Sequence, residues 1–235
     1  MPTTTSATAS TSDPTAGLSG AGLACRRGRR LLFSGLDLAL APGSITWLRG
    51  PNGSGKTSLM RLLAGLAQPE SGEIAWRGRS IRADRAAWQA DLVYIGHTNA
   101  LKDDLTLLEA LMFLAALRGQ GREAAERALG ELGLAQRLHQ PVRTLSQGQR
   151  RRGALARLAL SAEAATPGPA GCWILDEPYD ALDRAGRQRL DELVLAQAAR
   201  GGVVLLTSHQ DVHLPGLVEF NLADRVAAPA PRTLQ

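Results

Sequence analysis

Residues 50 to 57, Gly50-Pro51-Asn52-Gly53-Ser54-Gly55-Lys56-Thr57, follow the spacing G-x-x-x-x-G-K-[ST]. Glycines at such intervals let successive backbone N–H groups converge on phosphate oxygens. A helix starting near Lys56 aims the positive end of its dipole at the same point. Of the 27 basic residues, only Lys56 and Lys102 are lysines. A lysine kept in this loop therefore answers a chemical need: a compact ammonium reaches the β- and γ-phosphates where a broad, planar guanidinium fits poorly. Thr57 offers a hydroxyl to Mg²⁺, and the phosphate-binding set runs from Gly50 through Ser58.

A second group lies in "CWILDEP", residues 172 to 178. Asp176 follows four apolar residues, where a carboxylate needs a strong reason to be buried, and completes the Mg²⁺ site with Thr57. Glu177 comes next, directed at an attacking water as general base or water-polarising group, and Pro178 stops the strand. These two motifs describe a P-loop nucleoside triphosphatase. A third, "LSQGQRRR", residues 145 to 152, begins a helix at Ser146 as N-cap. It places Arg150, Arg151 and Arg152 in the first turn, where the dipole disfavours positive charge; such a start is suited to an anion.

These groups need elements to hold them. "SITWL" (44–48) reads as a strand feeding the glycine loop, and Leu59, Leu62, Leu63 and Leu66 recur at helical spacing behind it. "LFSGLDLAL" (32–40) reads as another strand, set off by the Pro42-Gly43 turn, and "GEIAW" and "DLVYIG" as two more between 72 and 96. Residues 105–140 form two or three helices, an insertion into the sheet order. "CWILD" and "VVLLTS" (203–208) are fully apolar runs of the kind buried in parallel sheets, with helical "AGRQRLDELVLAQAAR" between them. Residues 161–171 read as a loop. The first 18 residues, rich in Ser, Thr, Ala and Pro, and the last ten, 226–235, read as tails around a domain spanning 19–225.

Composition narrows the function further. A chain of 235 residues with 44% apolar content buries a substantial core. Its net charge of +5 is spread out apart from Arg26–Arg30 and Arg150–Arg152, and four Trp, three Phe and two Tyr give little surface for stacking bases, so no nucleic-acid partner is expected. Cys25 and Cys172 lie in apolar surroundings without metal or C-x-x-C spacing, as reduced buried thiols do. The longest apolar stretch, Leu105 to Leu117, is interrupted by Glu109 and falls short of the ~20 residues that span a bilayer. The N-terminus has neither the basic start nor the apolar centre of a secretory signal.

L-S-x-G-Q some thirty residues before a strand ending in Asp-Glu-Pro, with a histidine after the next strand, resembles the ATP-binding cassette ATPases over roughly residues 20 to 215. That resemblance implies an α/β P-loop fold with a mostly parallel central sheet, an antiparallel β subdomain and a helical subdomain at about 100–150. It implies ATP and Mg²⁺ as cofactors, Ala181-Leu182-Asp183 as the D-loop, and His209 as the switch histidine beside Lys56 and Glu177. Ser146, Gln147, Gly148 and Gln149 become the signature that contacts ATP held by a second subunit, which implies a homodimer. Where the cassette pattern has a glutamine, "YIGHTNALKDDLTLLEAL" has His97, implied to touch Mg²⁺ or its water and to relay to a permease. With "LACRRGRRLLFSGL", "LSQGQRRR", "WILDEPYDALD" and "LLTSHQ", the chain is similar to the CcmA family, the haem exporter ATPases of cytochrome c biogenesis. That family implies peripheral attachment to the cytoplasmic face of the bacterial inner membrane, a CcmB-like permease, and CcmC-like and CcmE-like proteins in the pathway. The motor of another small-substrate transporter is the nearer alternative, and a soluble non-transport cassette protein the more distant one. No C-x-x-C-H is present, so haem is expected to be handled by partners. The segment "CRRGRR" before the phosphate loop also lacks the aromatic ring on which cassette ATPases stack adenine; Phe33 is expected to face the core, leaving an arginine such as Arg27 for the base.

Overall fold

The structure is a computed structural model that describes residues 17–163 and 170–225. The expected tails therefore lie almost wholly outside the described residues, as does part of the expected 161–171 loop.

Two sheets make up the framework. In the first, β1 (Leu18–Arg27) and β2 (Arg30–Leu40) form an antiparallel hairpin registered from Leu18 opposite Leu40 to Arg27 opposite Arg30. Strands β4 (Ser71–Trp76) and β5 (Arg79–Ser80) extend it in the order β2-β1-β4-β5. The second sheet contains β3 (Ile45–Arg49), β6 (Leu92–Ile95), β7 (Cys172–Leu175), β8 (Val203–Leu206) and β9 (Leu217–Asn221), in the order β6-β7-β8-β3-β9 with every pairing parallel. The C-terminal ends of its strands thus share one edge, the position where open parallel sheets bind ligands.

The apolar runs of β7 and β8 are explained by what covers them. Successive strand residues point to opposite faces. Trp173, Leu175, Val204 and Leu206 join a core shared with α3 (Leu107–Ala116), α4 (Arg122–Glu131), α5 (Gln147–Glu163) and α6 (Arg184–Ala199). Cys172, Ile174, Val203 and Leu205 join a second core with the antiparallel sheet and α1 (Lys56–Leu63). With both faces covered, no polar residue alternates within either strand.

The free edge of β6 is closed in an unusual way. On the side away from β7, the carbonyls of Leu92, Tyr94 and Gly96 accept hydrogen bonds from the guanidiniums of Arg118, Arg157 and Arg151, at 3.2, 3.2 and 3.0 Å. Every second carbonyl along the edge is met by an arginine from the helical part rather than by a strand.

Several elements depart from the sequence reading. β1 is a full strand that starts at Leu18, a residue expected to belong to the tail; Leu18 is fully buried opposite Leu40. Glycines and shifts in register between Gly20 and Arg26 had broken its alternation. The arginine-rich stretch before β6 contains α2 (Arg85–Asp91), capped by Asp84 and buried through Trp88 alone. α5 continues through 161–163, into the expected loop. β9 lines the far edge of the sheet, half exposed and so without an apolar run.

Candidate functional site

A cleft of about 340 Å³ opens at the C-terminal edge of the parallel sheet. Its floor is the loop between β3 and α1, contributing Asn52, Gly53, Gly55, Lys56, Thr57 and Ser58. Gly55 caps α1 in a left-handed conformation (φ 107°), and a Cβ on it would stand 3.3 Å from Leu32 and the Phe33 ring. Glycine is required there on both counts. The Lys56 ammonium folds along the loop, donating to the carbonyls of Gly50 at 2.6 Å and Pro51 at 3.3 Å. That holds the charge over the N-terminal end of α1, whose first N–H groups have no partners within the helix.

Asp176, Glu177, His97 and His209 line the same cleft. Asp176 follows β7 and is 3% exposed; its Oδ1 accepts from the Thr207 hydroxyl at 2.9 Å, while its buried Oδ2 has no protein partner. A buried carboxylate oxygen left in this way is suited to a cation or its water. Among the described residues no three His, Cys, Asp or Glu side chains form a metal cage. A divalent ion here must take most of its oxygens from hydroxyls, water and phosphates, as Mg²⁺ does, and Asp176 with Thr57 fits that requirement.

Glu177 is 6% exposed and holds φ at 51°, a strained conformation for a residue with a side chain. Its Oε2 accepts from the His209 backbone N–H at 2.8 Å, and its Oε1 lies 3.6 Å from His209 Nε2. Burial raises its carboxyl above the usual carboxylate range, opposed by the His209 hydrogen bond. Thr207 orders both acids: its hydroxyl donates to Asp176 and accepts from the Glu177 N–H at 2.9 Å. Sequence reasoning passed over Thr207, although a hydroxyl ending the apolar "VVLLTS" was the available signal. His97 is mostly exposed, with Nδ1 3.9 Å from Asp180 Oδ2, a partner the sequence reading had not singled out.

The remaining wall comes from the β1–β2 hairpin through Arg27, Arg30 and Leu32. Phe33 is 1% exposed and packs in the core.

Ser146 to Gln149 do not line this cleft. Ser146 caps α5 through a reciprocal pair, its hydroxyl accepting from the Gln149 N–H at 3.2 Å and its N–H donating to Gln149 Oε1 at 2.9 Å. Ser146 and Gln147 face solvent, and Gly148 sits so close to the Ala181 carbonyl that a Cβ would be 2.7 Å away. Asp183 caps α6 by accepting from the Gly186 N–H. The three arginines, whose helix start the sequence suits to an anion, are engaged within the chain itself. Arg150 turns back to the carbonyls of Arg143 and Leu145 and to Asp103, Arg152 to the carbonyl of Leu132, and Arg151 is buried. Carbonyl oxygens, joined by the Asp103 carboxylate at Arg150, take up their donors.

A family model described as ABC transporter matches residues 33–180. The cytochrome c biogenesis ATP-binding export protein CcmA of Aromatoleum aromaticum is 50% identical over 193 residues, which cover 81% of this chain and 87% of that protein. The protein of the same name from Albidiferax ferrireducens is 47% identical over 194 residues, 82% of this chain and 89% of its own length. Among solved structures, an ATP-binding subunit of an ABC transporter superposes with a TM-score of 0.70 at 26% identity, covering 82% of this chain and 79% of that one.

Proposed function

This chain belongs to the ABC transporter family and, within it, to the CcmA family, and we propose that it hydrolyses ATP as the motor of a membrane complex for haem export or haem-chaperone release in c-type cytochrome biogenesis. The observation that carries the chemistry is the pair of buried carboxylates, ordered by one threonine hydroxyl and facing a lysine-bearing glycine loop across the cleft.

Lys56 and the loop amides hold the β- and γ-phosphates. Thr57 and the free oxygen of Asp176 would hold Mg²⁺, which would supply positive charge against that developing on the phosphates. Glu177 orients the attacking water and takes its proton, and its raised proton affinity suits that task. His209, anchored to Glu177 through its backbone N–H, turns its imidazole to the γ-phosphate, and exposed His97 stands where a change at the metal site reaches a neighbouring protein.

Ser146–Gln149 lie outside their own cleft, with Ser146 and Gln147 facing solvent. Two copies related by a twofold axis place each signature on the nucleotide held by the other, so the working unit is a homodimer. No helix among the described residues is long and apolar enough to cross a membrane. Attachment to the cytoplasmic face of the inner membrane then runs through a CcmB-like permease, with CcmC-like and CcmE-like proteins handling haem. Deleting the gene tests the reading: c-type cytochromes are expected to be lost while b-type haem proteins remain. Unchanged c-type levels would assign the motor to another transporter.

A further inference from the structure

Arg151 belongs to a run that the sequence assigned to anion binding, and its side chain does something else. It stands on α5, two residues beyond Gln149, and is 3% exposed. Its Nη2 donates to the carbonyls of Asp176 at 3.0 Å and Glu177 at 2.5 Å, and its Nε to the carbonyl of Pro178 at 3.3 Å. Its Nη1 donates to the carbonyl of Gly96 at 3.0 Å and to Asn99 Oδ1 at 3.3 Å. All five acceptors lie on the two segments that carry Asp176, Glu177 and His97.

The guanidinium is therefore spent on four backbone carbonyls and one amide oxygen rather than on a carboxylate partner. Glu177 needs such support, because a left-handed conformation at a non-glycine residue persists only where its surroundings over-determine it. A second contact reinforces the first: Gly148 of the signature rests on the Ala181 carbonyl, in the turn that follows the two acids. The signature segment and the catalytic segment of one chain are joined at two points.

We infer that Arg151 is a positioning residue that locks the signature helix to the peptide carbonyls around Glu177, so that docking of a second copy's nucleotide on the signature and alignment of this chain's own catalytic carboxylate are one mechanical event. The inference rests on the ATPase reading above. It requires arginine: a planar fork of five N–H donors serves five acceptors, an ammonium has three donors, and methionine has none.

The test uses the full-length chain with Arg151→Met and Arg151→Lys, measuring ATP affinity, ATP-driven dimer formation, kcat and melting temperature. The expected result is an ATP Kd within about threefold of wild type and a dimer that still forms. Turnover falls about 100-fold in the Met variant, the scale of loss that follows a misplacement of about 1 Å at a reacting group. The Lys variant recovers about tenfold of that, by the donors it retains. Both variants turning over at the wild-type kcat would overturn the inference, as would a rise in Kd and KM at unchanged kcat. Should the Met variant fail to fold, the Lys variant decides; failure of both to fold would mean that Arg151 holds the whole domain, which also overturns a role confined to the site. Absence of ATP turnover in the wild-type chain would instead strike the parent reading.

Discussion

Asp176 and Glu177 are adjacent in sequence and differ in what their oxygens meet. One oxygen of Asp176 is held by Thr207 and the other is buried without a protein partner, the arrangement of a cation ligand. Glu177 is pinned at backbone and side chain and loses solvent, the arrangement of a base. The hairpin wall of the cleft follows a different logic. Arg27, Arg30 and Leu32 line it without an aromatic ring, so on the proposed function the base would meet charge and an aliphatic side chain, neither of which distinguishes one purine from another. GTP is expected to compete with ATP within about tenfold, or ~1.4 kcal/mol. Competition binding on the Glu177→Gln protein measures this, and an ATP preference beyond a hundredfold would reveal a hydrogen-bonded base site. The lysine in its glycine loop and the two acids could be read directly from sequence, because each departs from what surrounds it. Asp180 could not, and Thr207 only faintly, since a lone hydroxyl or carboxylate takes its meaning from what the fold brings beside it.

At the scale of elements, helix starts carry much of the local order. Thr106 and Glu109 form a reciprocal cap on α3: the Glu109 N–H donates to the Thr106 hydroxyl, and the Thr106 N–H donates to Glu109 Oε2. Hydrogen bonds from Thr106, first its backbone N–H, hold the Glu109 carboxyl below its usual range. Thr106→Ala is expected to cost about 1 kcal/mol of stability. It should leave the ATP turnover rate unchanged, because the cap touches nothing in the cleft; denaturant melts alongside kcat measurements separate the two effects. In the apolar stretch that contains it, Glu109 looks like an interruption, yet it serves the helix. Strands β7 and β8 were legible because burial on both faces leaves an uninterrupted apolar run. α2 and β9 were not, since one buried tryptophan or a half-exposed edge yields no periodicity.

For the whole molecule, the proposed function divides the site between copies. Glu177→Gln, by removing the water-activating carboxylate while leaving Lys56, Thr57 and Asp176 in place, is expected to retain ATP and accumulate as a dimer. Size-exclusion chromatography with ATP and Mg²⁺ checks this, and a persistent monomer would contradict the two-copy site. The arginines that meet every second carbonyl of β6 bear on a different hazard. An open strand edge is a template for a neighbouring chain, and natural sheets blunt such edges in several ways. Here the protection comes from outside the sheet, from guanidiniums anchored in α5 and just beyond α3. A chain whose helices loosen before its sheet does would uncover a strand ready to recruit another, so the first step of its denaturation is also a step towards polymer.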